Sequence, residues 1–172
     1  MSRTTLIVDG YNVIRQAGGP YDRLYESDPD AARTRLVSDV AGYAAGEWRA
    51  TVVFDGGGNP SSDGTPHEIA GVDVIFSAYG TDADSVVERL VADARDAREE
   101  VVVVSSDAQT QWSVMGGGVT RMSSRAFIGE MLGVQDEHTE ANPSGSVRGT
   151  ISDRIDSNVR EQLIRWSRGG RG

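Results

Sequence analysis

Three short runs rich in β-branched residues, 5–8, 51–54 and 101–104, each give way to an aspartate: Asp9, Asp55 and, after two serines, Asp107. Amphipathic segments separate them, which is the pattern of β-α units around a parallel sheet. In such sheets ligands bind beyond the carboxyl ends of the strands, so the three acids stand where a site would form. Fold and site are thus constrained by one feature.

The remaining organisation follows from periodicity and punctuation. Asp28-Pro29 supplies an N-cap and a first-turn proline for a helix whose apolar positions Leu36, Val40, Tyr43 and Ala44 carry it as far as Trp48. Residues 59–66 have little apolar surface and read as a mobile loop, and 72–76 as a third strand. Residues 82–98 place Val87, Leu90, Val91 and Ala94 on one helical face. A short helix to about Met115, an edge strand over 119–122 and a helix over 124–132 follow. The polar stretch 137–149 reads as a linker, and 152–166 as a helix with Ile155, Val159, Leu163 and Trp166 on its docking stripe. The expected architecture is α/β: three layers, with a central mainly parallel sheet flanked by helices and a C-terminal helix added. Residues 1–136 form the domain; 137–172 form a linker and basic tail that pack on it.

Composition removes several chemistries. The 172 residues include no Cys, and all 17 cations are Arg. Disulfides, thiolate nucleophiles, Walker-type P-loops and Schiff-base lysines are therefore excluded. No apolar run approaches the ~20 residues of a membrane span, so the expected compartment is the cytoplasm. The net charge of −9 is uneven: residues 148–172 carry six Arg against Asp153, Asp156 and Glu161, a local +3, which leaves −12 on 1–147. This is an acidic body with a basic tail, either a metal-loaded acidic site with a handle for polyanions or a solvated surface.

Asp84, with Asp82 before it, opens the helix after the third strand and adds a fourth carboxylate to the same edge. Carboxylates brought within a few ångström repel unless protonated or neutralised by a cation. An oxygen-only set favours a hard ion, Mg²⁺ or Mn²⁺, which can assist in-line attack on a phosphodiester. Each Asp alone reads first as a turn residue or helix cap, and Asp82 reads as one; four such junctions choosing Asp together point to a site. Glu88, one turn beyond Asp84, is undecided. Asn12, in Asp9-Gly10-Tyr11-Asn12, either orients a water or phosphate or closes a turn, and Tyr11 reads as packing. Ser105 and Ser106 either bind phosphate or cap a helix. Gly116-Gly117-Gly118 runs into Arg121, Ser123, Ser124 and Arg125, where glycines admit a ligand, a helix start attracts anions and two Arg stand near; the plain alternative is a turn into an edge strand. His67 and His138 read as ordinary surface residues.

The segments Leu6-Ile7-Val8-Asp9-Gly10-Tyr11-Asn12, Val53-Phe54-Asp55, Asp82-Ala83-Asp84, Ser106-Asp107 and the glycine-rich stretch through Arg121-Met122-Ser123 and Arg125 resemble, in order and spacing, the YacP-like branch of the NYN domains, relatives of the PIN nucleases. The likeness extends to the ending at Trp166 and Arg168. It implies a PIN-like fold and a metal-dependent endoribonuclease acting on single-stranded RNA, mRNA by preference. Members characterised in other bacteria look like ribosome-associated mRNA endonucleases, which makes the ribosome a candidate partner. Carried over, Asp9, Asp55, Asp84 and Asp107 with Asn12 would be catalytic, with Asp9, Asp84 and Asp107 holding Mg²⁺ or Mn²⁺. Ser106, Arg121, Ser123, Arg125, Arg165 and Arg168 would meet the RNA. Two departures bear on docking: the loop after Asp55 is rich in Gly and Ser where relatives are more basic, and no Lys remains.

Two other classes compete. A non-catalytic RNA- or ribosome-binding module of the same fold would use the acids only as caps. A phosphatase of the haloacid-dehalogenase class would want Asp-x-Asp after the first strand and a Lys further on; this chain has Asp9-Gly10-Tyr11 and no Lys.

Overall fold

In the computed structural model, residues 3–106, 117–140 and 151–167 are described; for 134–140 and 151–158 this covers the backbone. The elements are β1 (Thr4–Asp9), α1 (Gly10–Ile14), α2 (Asp22–Ser27), α3 (Pro29–Ala44), β2 (Trp48–Phe54), β3 (His67–Ile69), β4 (Val72–Phe76), α4 (Ala83–Asp96), β5 (Val101–Val104), β6 (Val119–Met122), α5 (Ser124–Glu140) and α6 (Ile151–Ser167).

The strands form one sheet in the order β3-β4-β2-β1-β5-β6, all parallel except the β3-β4 pair. β1 lies at the centre, and the chain builds outward from it to β2 and β4 before crossing back to β5. Loops beside the central strand therefore diverge, opening a crevice at their carboxyl ends. Register sets what meets there: Val8 lies opposite Val104 and Asp9 opposite Val53, so Asp9, Asp55 and Ser106 emerge on one edge.

Two apolar layers sandwich the sheet. On one face Leu6, Val8, Val52 and Phe54 pack with Leu36 and Val40 of α3, Phe127 and Met131 of α5, and Val159 and Leu163 of α6. On the other, Ile7, Val53, Ile75 and Val103 pack against Val86, Val87 and Val91 of α4. Alternate residues of each strand thus serve opposite layers, the outcome expected of a pleated strand buried on both sides.

Several boundaries differ from the sequence reading. The helix does not run to Trp48: it ends at Ala44, Gly46 takes a positive φ of 82°, and Trp48 opens β2 opposite Thr4. Trp48 turns back to stack on Tyr43, ring centres 6.0 Å apart, which explains why it continued the apolar periodicity. The loop over 59–66 is tied down, not loose. The Ser62 hydroxyl donates to Ser77 O (2.8 Å), Tyr79 N donates to Ser62 O (2.9 Å), and Asn59 Nδ2 donates to the carbonyl of Ser167 (2.8 Å). His67 is no ordinary surface residue: it starts β3, and its ring stacks on Trp166 at 4.0 Å and 15°. Residues 137–140 continue α5 and do not begin a linker; the rest of that linker, and the short helix toward Met115, lie outside the described residues.

α6 is secured at its middle and its C-terminal end. Besides the Asn59 and His67 contacts near its C-terminus, Arg160 donates to Asp28 Oδ2 at 2.6 Å. Asp28 also accepts from Ala31 N (3.0 Å) as the N-cap of α3, so one carboxylate starts that helix and holds α6 against it.

Candidate active site

Asp9 is the last residue of β1, 8% exposed, and its Oδ1 accepts from Asn12 N at 3.3 Å, capping α1. The next residue has to be glycine. A Cβ at Gly10 would overlap the ring of Phe54, itself fully buried between the rings of Tyr11 and Phe76. The absence of a side chain lets β1 turn straight into α1, which keeps Asp9 and Asn12 on the sheet edge.

Asn12 is a brace. Its Oδ1 accepts from Ser106 N (2.9 Å) and from the hydroxyl of Ser124 (2.5 Å), joining the β1-α1 turn to the loop after β5 and to the start of α5. Ser106 Oγ accepts from Ser124 N (3.0 Å), and Ser123 Oγ from Ala126 N (3.1 Å). Both hydroxyls therefore cap α5.

Asp55 follows β2 directly and is exposed; its Oδ1 accepts from Gly57 N at 2.9 Å. A Cβ at Gly57 would sit 2.5 Å from the carbonyl of Thr81, so this glycine lets the β2 loop lie against the segment leading into α4. Buried Ser77 clasps the two: its Oγ accepts from Gly56 N (2.9 Å) and donates to Thr81 O (2.8 Å). Asp55 is thereby held beside the start of α4. There Asp82 is the N-cap, accepting from Ser85 Oγ (2.7 Å) and Ser85 N (2.8 Å), bonds that hold its carboxyl below the usual range. Asp84 stands in the first turn.

The result is a cleft of about 670 Å³ whose walls include Asp9, Asp55, Asp82 and Asp84, with Asn12, Ser106 and one cation, Arg15. Among the described residues no three acidic or His side chains are gathered closely enough to hold one ion between them. The donors are nonetheless all oxygen, the chemistry a hard divalent ion requires. Asp107 and Arg168 lie outside the described residues. Arg121 is exposed on β6, Arg125 on the first turn of α5 and Arg165 near the end of α6; none of them lines the acidic cleft.

Sequence reasoning missed Arg15 and Gln16, which line the cleft one turn beyond Tyr11 and Asn12. The signal was the i to i+4 spacing of a helix, but α1 has five residues, too short to show a period. Tyr11 packs, as its type and place implied: its ring meets Tyr25 at 5.8 Å and Phe54 at 5.2 Å. Burial raises its phenol pKa, opposed by Arg33, whose guanidinium donates to the hydroxyl at 3.0 Å.

No helix among the described residues is long and apolar enough to cross a membrane. The chain is similar to the uncharacterized protein YacP of Bacillus subtilis strain 168, 27% identical over 95% of this chain and 96% of that protein. It is also similar to the crystal structure of Rae1 (YacP) from Bacillus subtilis, with 26% identity, a TM-score of 0.65, and 96% of this chain and 95% of that one covered. The structure of a tryptophan-to-leucine mutant of that same protein gives 24% identity and a TM-score of 0.66 over 93% of this chain and 98% of that one. The model of the YacP-like NYN domain matches residues 6–168, nearly the whole chain, and the protein belongs to that family.

Proposed function

We propose that the protein is a metal-dependent endoribonuclease that hydrolyses phosphodiester bonds of single-stranded RNA, with mRNA on the ribosome as its working substrate. The observation that carries this reading is the gathering of Asp9, Asp55 and Asp84 on one cleft, beside Asn12 and Ser106. Three separate β-α junctions supply the acids, and family membership gives the cleft its expected chemistry.

Asp9, Asp84 and Asp107 would hold Mg²⁺ or Mn²⁺. When bound, such an ion acts as a Lewis acid toward the charge that builds on the phosphodiester oxygens. Asp55, exposed at the rim, takes the proton of the attacking water as its oxygen bonds to phosphorus and the bond to the leaving ribose oxygen breaks, and that oxygen takes a proton from solvent to leave as a hydroxyl. Asn12 fixes the walls between which the strand lies, because its Oδ1 ties three segments together. Arg15 offers the cleft's cation to a neighbouring phosphate. Ser106, Arg121, Ser123, Arg125, Arg165 and Arg168 extend that contact along the RNA backbone.

A second reading is a non-catalytic RNA- or ribosome-binding module of the same fold. It draws on Asp9 and Asp82 serving as helix caps. One experiment separates the two: incubation of a long single-stranded RNA with the protein in Mn²⁺, Mg²⁺ or EDTA, beside Asp9→Asn and Asp84→Asn. The nuclease reading expects cutting with metal and none in EDTA or in either variant. Absence of cutting on free RNA and again on translating ribosomes would leave the binding module.

A further inference from the structure

A second cleft, of about 540 Å³, adjoins the acidic one and shares Tyr11 and Asp55 with it. Its wall contains Arg33 of α3, which is only 8% exposed. One guanidinium nitrogen donates to the Tyr11 hydroxyl and another to Asp30, one turn earlier on the helix. The third, Nε, is buried and has no partner among the described residues. A buried guanidinium with a donor left over is costly to keep, and a bound group that draws the side chain toward the cleft would satisfy it.

The chemistry of the walls identifies the class of group. Arg33 and Asp30 together are neutral and Asp55 adds a negative charge, so the cleft does not favour a phosphate. It offers a donor beside an acceptor in the Arg33-Asp30 pair, an apolar wall from Phe76 and Tyr11, and, as an acceptor, the Ser62 hydroxyl oxygen, whose hydrogen is held by Ser77 O. A nucleobase matches all three: it is flat, uncharged, and places acceptors beside amino or imino donors on its edge. The volume lies within the ~300–1,000 Å³ of small-molecule sites. We infer that this cleft is a nucleobase subsite, in which the Arg33-Asp30 pair reads the edge of a base whose phosphate reaches toward the acidic cleft. That the base belongs to an RNA substrate rests on the nuclease reading; that the cleft takes a base does not.

The test is titration of the full chain in EDTA with the four nucleoside 5′-monophosphates and with ribose 5-phosphate, followed by saturation-transfer NMR. At least one nucleotide is expected to bind tenfold or more tightly than ribose 5-phosphate. Arg33→Lys, which keeps the charge but loses the fork, and Asp30→Asn, which keeps the shape, should each weaken it tenfold or more; circular dichroism checks that both are folded, and the rim variant Ser62→Ala, expected to weaken it severalfold, replaces either that is not. Equal binding of ribose 5-phosphate would overturn the inference in favour of a phosphate site, and so would unaltered affinity in the folded variants. Because EDTA prevents metal-dependent cutting, base binding without any nuclease activity elsewhere would sustain the subsite while sinking the nuclease reading.

Discussion

Asn12 is the residue where fold and site are most tightly joined, and its removal has a calculable consequence. Asn12→Ala deletes the acceptor of two hydrogen bonds, from Ser106 N and from the Ser124 hydroxyl. Each bond contributes about 0.5–1.5 kcal/mol net, and a buried donor left unmade adds about 1–3 kcal/mol. Ser106 is exposed, so water can take over its N–H; Ser124 is fully buried and has no such recourse. The expected loss is therefore about 2–3 kcal/mol, which for a chain of this size lowers Tm by about 4–12 °C. Asn12→Asp keeps an oxygen in place, so neither donor is stranded, and at high salt, which screens the charge it adds beside Asp9, it should lose less than about 1 kcal/mol. Urea unfolding followed by tryptophan fluorescence measures both. The reasoning fails if Asn12→Ala loses under about 0.5 kcal/mol or if the two variants are equally destabilised. A Ser124→Ala background should remove most of the Asn12→Ala effect, as expected for residues sharing one bond.

Other expectations are as direct. Gly10→Ala forces a methyl onto the Phe54 ring, which Tyr11 and Phe76 hold in place; overpacking of this kind costs about 1–3 kcal/mol, and thermal melts should recover part of it in a Phe54→Leu background. Burial, then hydrogen bonding to Glu130, raises Tyr43 to about 12, and burial with Asp39 raises Tyr21 further. A raised phenol holds its proton more tightly in the folded state, so this stabilisation is intact below ~10 and is lost as pH rises through the folded values. Ultraviolet titration of the five Tyr should show at least these two ionising late, together with alkaline unfolding; ordinary titration of all five would contradict the packing. Asp28 is held below the usual carboxylate range by the Ala31 amide and then by Arg160, so its contribution is present above pH ~3.8 and lost as pH falls through the folded value. Asp28→Ala should increase amide exchange in α6 before the rest of the chain.

What was legible in the sequence was whatever a local pattern encodes. β1, β2 and β5 announce themselves because strands buried on both faces need continuous β-branched runs, and their following aspartates mark the ends. α4 is legible because its Val87, Val91 and Ala94 repeat at helical spacing and Asp82 caps it. The three-residue β3 is not, since it pairs through backbone bonds with β4 and carries only Ile69 into the core. Nor is the stack of His67 on Trp166, which joins residues far apart in the chain and depends on where α6 docks. The site divides in the same way. Asp9, Asp55 and Asp84 follow from topology, whereas Arg15 and Arg33 depend on how α1 and α3 turn their faces toward the sheet edge.

For the proposed endoribonuclease, that edge also sets how RNA would be held. The acidic cleft brings four Asp against Arg15, on a chain of net charge −9, so phosphates cannot be drawn to it by the cleft alone. On the proposed reading cations beside it do so: Arg121 lies opposite Val103 near the carboxyl end of β6, and Arg125 stands on the first turn of α5, whose start is bonded to Asn12. With Arg15, Arg121, Arg125, Arg165 and Arg168 each neutralising one phosphate, log affinity for a single strand should fall with log salt at a slope of about −3.5. Raising salt from 50 to 200 mM would then weaken binding by about 130-fold. Arg121→Gln with Arg125→Gln should lower that slope to about −2.1, leaving about an 18-fold loss. Fluorescence anisotropy of a labelled oligoribonucleotide in EDTA reads both numbers without cleavage. A wild-type slope shallower than about −1 would mean that these arginines do not meet the strand, and that a free RNA engages little beyond the cleft itself.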